Sequence, residues 1–293
     1  MFAVEFNDVK FVYGEGTPFR KEALKGATFS VNTGSMTGII GHTGSGKSTV
    51  AQLMNGLLTK SGGEIKLFGE PMPTDAKTLH SLRFRIGLVF QYPEYQLFEE
   101  TVFRDIAFGP KNMGLTEGEI RERVEKAADF VGLDRSLLDV SPFELSGGQK
   151  RRAAIAGVIA MTPEILILDE PAAGLDPRGR DEILGRIADY RDETGSTVII
   201  ISHSLEDMAR YCSDIVVMSD GKAIIQGSAE KVFMNYDLLL TAGLDVPPVS
   251  KLSMLLEQRG LIPDSVKPEE RAVFTVGSAE NLVLKILEHK NIE

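Results

Sequence analysis

The sequence predicts an α/β protein: a parallel sheet with an antiparallel β edge, a helical subdomain and a small C-terminal module. Three observations carry this. "MTGIIG", "ILILD", "STVIIIS" and "DIVVMS" are short, continuous apolar runs, as expected of strands covered on both faces. Residues 2–13, residues 24–31 and "GEIKLFGEPM" instead alternate apolar and polar, the mark of half-buried strands. Between the apolar runs lie periodic helical segments, notably 46–58 and 178–192.

Taken in order, the alternating segments form an antiparallel edge, and the first apolar run opens the parallel core. Residues 77–160 read as mostly helical. Within them, "TEGEIRERVEKAADFVG" starts with a capping box, Thr116 and Glu119, and stops at Gly132. The remaining apolar runs return the chain to the sheet. After Tyr236 the pair Pro247 and Pro248 interrupts regular structure, and amphipathic helices are expected near 250–259 and 278–289. The expected organisation is therefore a domain over 1–236, with the helical subdomain inserted at about 77–160, and a small separate C-terminal module over 237–293.

Composition narrows the function. The chain has 293 residues, 43% of them hydrophobic, which is ample for a core. A formal net charge of -10 argues against a nucleic-acid partner, which would select a basic face. The single cysteine, Cys212, excludes an intrachain disulfide and reads as a packed small residue near a helix end. No apolar run approaches the about 20 residues of a membrane span, and the N-terminus shows no secretion signal. The expectation is a cytoplasmic protein or one side of a membrane complex.

"GHTGSGKST" follows an apolar strand and opens a helix, the context that gives G-x-x-x-x-G-K-[ST] its mechanism. Its residues Gly41, His42, Thr43, Gly44, Ser45, Gly46, Lys47, Ser48 and Thr49 are expected to cradle phosphate. Lys47 would reach the β- and γ-phosphates, and Ser48 would take a place on Mg2+. "EILILDEP" ends a buried strand in two acids: Asp169 would join the Mg2+ shell and Glu170 would polarise the attacking water. His203, ending "IISHS", is expected at the γ-phosphate. Gln91, after another apolar strand, would meet Mg2+ or the water. Tyr13 is placed to stack on an adenine ring.

"ELSGGQKRRAAIAG" raises a separate question. Ser146 and Gln149 form a capping box, but Gly147 and Gly148 each cost a helix roughly 1 kcal/mol relative to alanine. Bare backbone at a helix N-terminus suits a phosphate, and one phosphate loop is already present. The second site must face a nucleotide held by another subunit.

At this point the sequence resembles the ATP-binding-cassette (ABC) family, whose signature motif reads "LSGGQ". The resemblance covers residues 2 to about 235. It implies Tyr13 as the adenine-stacking aromatic, Gln91 as the Q-loop glutamine, and His203 as the switch histidine. Ser146, Gly147, Gly148 and Gln149 then bind ATP in trans. Asp176 lies in the loop between subunits, and it also suits an N-cap before Pro177. "AGLD" stands where the family usually shows Ser-Ala-Leu-Asp.

A narrower resemblance lies in "FQYPEYQLFEETVFRDIAFGPKNMGL" and "LTAGLDVPPVSKL". These are similar to the ATPase subunits of energy-coupling-factor (ECF) transporters, prokaryotic uptake systems for vitamins and cobalt or nickel. "GEGTPFRKEALKG" and "YPEYQLFEETV" favour the second of two paralogous ATPases. The resemblance implies an ATP-hydrolysing subunit at the cytoplasmic membrane face. Its partners would be a second ATPase, a transmembrane scaffold subunit and small substrate-binding membrane subunits. Glu94, Glu99 and Glu100 would suit a basic coupling helix of the scaffold, or else form a solvated acidic loop. The alternative is the ATPase of a conventional ABC importer fed by an extracytoplasmic binding protein.

Overall fold

Alternating and continuous burial sort the strands into two sheets. In the computed structural model, which describes residues 1–244, 248–263, 265–271, 273 and 276–290, β1 (Phe2–Tyr13) pairs antiparallel with β2 (Lys21–Asn32) and β4 (Gly62–Leu67). With β5 (Glu70–Pro71) they form a sheet of order β2-β1-β4-β5. Its inner face carries Val4, Phe6, Val9 and Phe11 from β1, with Phe6 stacked on Phe29 across the pair. Alternation thus gives this sheet one core face.

The continuous runs become the second sheet. It contains β3 (Met36–Gly41), β6 (Ile86–Val89), β7 (Ile165–Asp169), β8 (Thr197–Ile201), β9 (Asp214–Ser219) and β10 (Lys222–Ser228), in the order β10-β9-β3-β8-β7-β6. All its pairings are parallel except that of β10 with β9. Every residue of β3, β6, β7 and β8 is buried, because both faces are covered. Ile165, Ile167, Ile199 and Ile201 turn toward the antiparallel sheet, and Leu166, Leu168, Val198 and Ile200 toward the helices. Each such side chain contributes about 1.5–3 kcal/mol of burial.

The helices are bounded as their caps dictate. Between the sheets runs α1 (Lys47–Met54), which stops at Asn55, short of the expected 58, as the chain turns at Gly56 with φ +70°. α2 (Ala76–Arg85) is capped by Asp75 and leads into β6, a sheet strand lying inside the stretch 77–160. Then α3 (Val102–Asn112), α4 (Glu117–Val131) and α5 (Gly147–Ile159) pack on one another. Both expected capping boxes form, Thr116 with Glu119 and Ser146 with Gln149, and Gly132 ends α4 in the left-handed conformation. α6 (Pro177–Thr194) and α7 (Leu205–Tyr211) return to β8 and β9, with Cys212 buried at the end of α7.

Past β10, α8 (Ala229–Phe233) and α9 (Tyr236–Thr241) cover the sheet edge through Phe233 and Leu239. The last helices are α10 (Pro248–Gln258), α11 (Pro268–Arg271) and α12 (Val276–Lys290). They share a small core of Ile262, Val266, Val273, Leu282 and Ile286. Ser250 and Ser253 fasten α10 to the carbonyls of Val273 and Arg271. Of the expected proline pair, Pro247 lies outside the described residues and Pro248 opens α10. Among the described residues no helix is long and apolar enough to cross a membrane.

The parallel order brings the C-terminal ends of β3, β7 and β8 to one edge, the place where open α/β sheets bind ligands. Ile199, fully buried on β8, tests how far that edge depends on the core. Ile199→Ala should cost about 2–5 kcal/mol, read as a lowered urea midpoint. An unchanged midpoint would remove β8 from the stabilising core.

Candidate functional site

The turn from β3 to α1 is built on glycine. Gly44 and Gly46 have φ of +84° and +104°. A Cβ on Gly46 would lie 2.7 Å from Leu24 Cδ2, and one on Gly41 would lie 2.3 Å from the Met218 carbonyl oxygen. Glycine is therefore required for both shape and space. No side chain caps α1, which leaves its first N–H groups available to a ligand. Lys47 curls over the loop and donates from Nζ to the carbonyls of Gly41 at 2.7 Å and His42 at 3.1 Å. Burial lowers its pKa, against the pull of Glu170 and Asp169.

A cavity of about 220 Å3 opens beside this loop, lined by Tyr13, Lys21, Lys47, Gln91, Asp169 and Glu170 among others. The Tyr13 hydroxyl lies 3.1 Å from Thr49 Oγ1, and its ring packs edge-on against Phe11. Gln91 arrives two residues after β6, on exposed backbone. Asp169, the last residue of β7, is buried and lines the cavity with Ser48. Burial raises its pKa most, with the nearby Ser48 side chain opposing.

Glu170 stands in the left-handed region, φ +54°, and its amide donates to the Ile201 carbonyl at 2.8 Å. That conformation is strained for a non-glycine residue and turns the carboxylate toward the end of β8. There His203 Nδ1 lies 2.7 Å from Oε1 and Ser202 Oγ donates to Oε2 at 3.4 Å. Glu170 is mostly covered and the His203 ring largely exposed. The structure thus places Tyr13, the phosphate loop, Gln91, Asp169 and Glu170 around one cavity, with His203, outside its lining, against Glu170. Ser202 was not read from the sequence, although its position before His203 at a strand end was the available signal.

The remaining expected residues lie elsewhere. Ser146 caps α5, its amide donating to Gln149 Oε1 at 2.9 Å, while Gly147 and Gly148 are exposed. A Cβ on either would meet nothing within 4 Å, and neither lines the cavity. Asp176 caps α6, accepting from the Gly179 amide at 2.7 Å, with Pro177 in the first turn.

A second cavity, about 350 Å3, flanks the segment after Gln91 and is lined by Leu57, Phe90, Leu97, Phe98 and Phe108. The expectation for the three acids is corrected at Glu94 alone. Glu94 turns inward to an ion pair with Arg151, 3.2 Å away, because α5 presents a buried guanidinium beside it. Glu100 is paired with exposed Arg104, an interaction of little energy. Arg151 itself was missed, since one arginine in a basic run gives no sign of burial.

The family model described as ABC transporter matches residues 24–173. Among curated relatives, the energy-coupling factor transporter ATP-binding protein EcfA2 of Caldanaerobacter subterraneus is 49% identical, with 97% of both chains covered. The EcfA2 of Clostridium tetani is 47% identical over 98% of both. Among solved structures, cbiO1 of Clostridium perfringens, part of the ABC transporter complex cbiONQ, has 39% identity and a TM-score of 0.74 over 87% of this chain and 99% of its own. The dimeric cassette MJ0796, bound to ADP and Pi, has 26% identity and a TM-score of 0.70 over 77% of this chain and 98% of its own.

The second cavity yields a pH prediction. Asp105 lies in it, buried, accepting from the amides of Phe98 and Glu99. Burial pushes its carboxyl above the usual range, with those amides pulling it back. The folded state then binds the proton more tightly than the unfolded chain, so stability falls as pH rises through the raised value. Asp105→Asn keeps Oδ1 for both amides. It should match the parent below about pH 3.9 and melt higher at neutral pH. A gap that is constant across pH would discard burial of charge as its cause.

Proposed function

Because this chain belongs to the ABC transporter ATPases, as an ATP-binding subunit of the energy-coupling-factor type, we propose that it works in a head-to-tail pair in which each ATP lies between one subunit's phosphate loop and the other's α5 N-terminus. The activity is hydrolysis of ATP to ADP and phosphate, coupled to transport. The observation that carries the paired site is the exposure of Gly147 and Gly148, which face open space away from the cavity holding Lys47 and Glu170. Nothing within the chain requires bare backbone there, whereas a partner's γ-phosphate does. The dimeric form of MJ0796 supports this arrangement.

Within each site, Lys47 and the N–H groups of residues 41–49 bind the β- and γ-phosphates, and Tyr13 stacks on the adenine. Glu170 accepts the proton of the attacking water. Its hydrogen bond orients His203 through Nδ1, leaving Nε2 for the γ-phosphate. Asp176 links the two sites from the cap of α6.

The residues also fit Mg2+. Ser48, Gln91 and Asp169 line one cavity, giving the hard oxygen donors that the ion prefers. Mg2+ is commonly held by one or two protein carboxylates together with nucleotide phosphates and water, which such a set would leave room for. When bound, the ion would neutralise charge on the phosphate oxygens.

The 350 Å3 cavity beside Gln91 receives a coupling helix of a transmembrane scaffold subunit, its apolar wall meeting apolar side chains. Small membrane subunits bring the solute, a vitamin or a cobalt or nickel ion, and the chain sits on the cytoplasmic face. Leu239, Ala242 and Leu244 belong to the core of the main domain, and it is the helices beyond them, α10 to α12, that form the module keeping the two ATPases together, with Leu252, Leu255, Leu284 and Leu287 exposed on α10 and α12 for that contact. ATP closes the pair, hydrolysis reopens it, and the groove passes the movement to the membrane.

Two measurements test this. Glu170→Gln should lower ATP turnover at least about 100-fold while trapping ATP in a closed pair seen by size-exclusion chromatography. Unchanged turnover would take the base role from Glu170. Tagging the chain in its native host and solubilising membranes gently should recover a second ATPase, a scaffold and small hydrophobic subunits. A conventional permease pair would overturn the transporter assignment and leave the hydrolytic chemistry standing.

A further inference from the structure

One side chain outside the nucleotide cavity ties α5 to the two segments that leave the cavity wall at Gln91 and at Glu170. Arg151, on the second turn of α5, is only 5% exposed. Its Nη2 donates to Glu94 Oε1 at 3.2 Å and its Nε to Oε2 at 3.4 Å. Its Nη1 points the other way, to the carbonyls of Pro171 at 3.4 Å and of Ala173. Glu94 belongs to the 3-10 turn Pro93–Gln96 that follows Gln91. Pro171 and Ala173 begin the loop from Glu170 to Asp176. A planar guanidinium can serve a carboxylate fork and two carbonyls together, and an ammonium cannot.

Each fastened segment begins in strained backbone. Tyr92, two residues before Glu94, has φ +57°, and Glu170, directly before Pro171, has φ +54°. Non-glycine residues persist there only where their neighbours fix the chain. Arg151 holds the chain immediately downstream of both.

We infer that Arg151 is a positioning residue for hydrolysis, joining the turn after Gln91, the loop after Glu170 and the partner-facing α5 into one mechanical unit. A displacement of that turn from the groove side carries Glu94, and Glu94 carries Arg151. Arg151 then shifts the Pro171 and Ala173 carbonyls and, with them, the backbone that aims Glu170. The inference rests on the paired-site reading, because only there does the start of α5 meet a nucleotide. Arg151 does not line the nucleotide cavity, so its loss should act on turnover and leave ATP binding intact.

The test uses the complex purified through a tag on this chain, with MgATP as substrate and a fluorescent ATP analogue as binding probe. Arg151→Met should lower kcat at least about tenfold with analogue affinity within about twofold. Arg151→Lys should restore little, since a point charge lacks the fork. Arg151→Met leaves Glu94 unpaired, so the double variant Glu94→Gln, Arg151→Met removes that charge and should be as slow as the single one. A folded single or double variant with kcat within about twofold of the parent overturns the inference, as does analogue binding lost in step with kcat. Gly148→Asp in the same preparation tests the paired site separately. Full activity there overturns that reading and with it the partner-facing part of this inference. Loss there, with full activity in Arg151→Met, overturns this inference alone.

Discussion

The parallel register of three strands sets everything else in place. Gly38 and Leu168 both align with Ile200, and Ile39 and Asp169 with Ile201, so β7 and β8 end level and β3 runs two residues further into the phosphate loop. A slip of one residue would exchange the two faces of a strand and send its buried isoleucines to the wrong core. Because both faces are packed, that slip is prohibited on both sides. The phosphate loop, the acidic pair and the Ser202–His203 strand end therefore meet with no contact among themselves needed to assemble them.

What meets there is costly to fold. Lys47 and Asp169 are each shifted by burial toward their neutral forms, and Glu170 holds a conformation suited to glycine. None of these features favours stability taken alone. They are tolerated because the cores on either face of the sheet are large, and they are useful because polyphosphate supplies the missing partners. Lys47 hydrogen-bonded to its own loop carbonyls is a donor group held in position by weak, replaceable acceptors.

How much was legible in the sequence follows from the range of each interaction. Capping boxes at Thr116 and Ser146 and the Gly132 stop are local, and the structure forms all three. The strand character of the apolar runs was equally visible, since continuous and alternating burial leave different patterns. The Arg151–Glu94 pair was not, because 57 residues separate its members and each side chain alone reads as a solvated charge. The same limit misplaced Glu94 among the outward acids. The hydrogen bond from His203 to Glu170 was hidden likewise: the sequence set both at strand ends without fixing which way either would turn.

Gly147 and Gly148 carry the last step. A helix start without a Cβ on two successive positions gives up stability, and burial elsewhere in this chain returns none of it, since both positions face open space. The neighbouring Ser146 and Gln149 occupy only each other's backbone, which leaves the α5 N–H groups of the next residues unclaimed. The chain therefore carries a phosphate loop and, away from its cavity, a second helix start whose first N–H groups no side chain claims. In the proposed head-to-tail pair these are the two halves of one site. Hydrolysis would then be conditional on pairing, and a shift of α5 would act both on the backbone that aims Glu170 and on the phosphate contact in the partner.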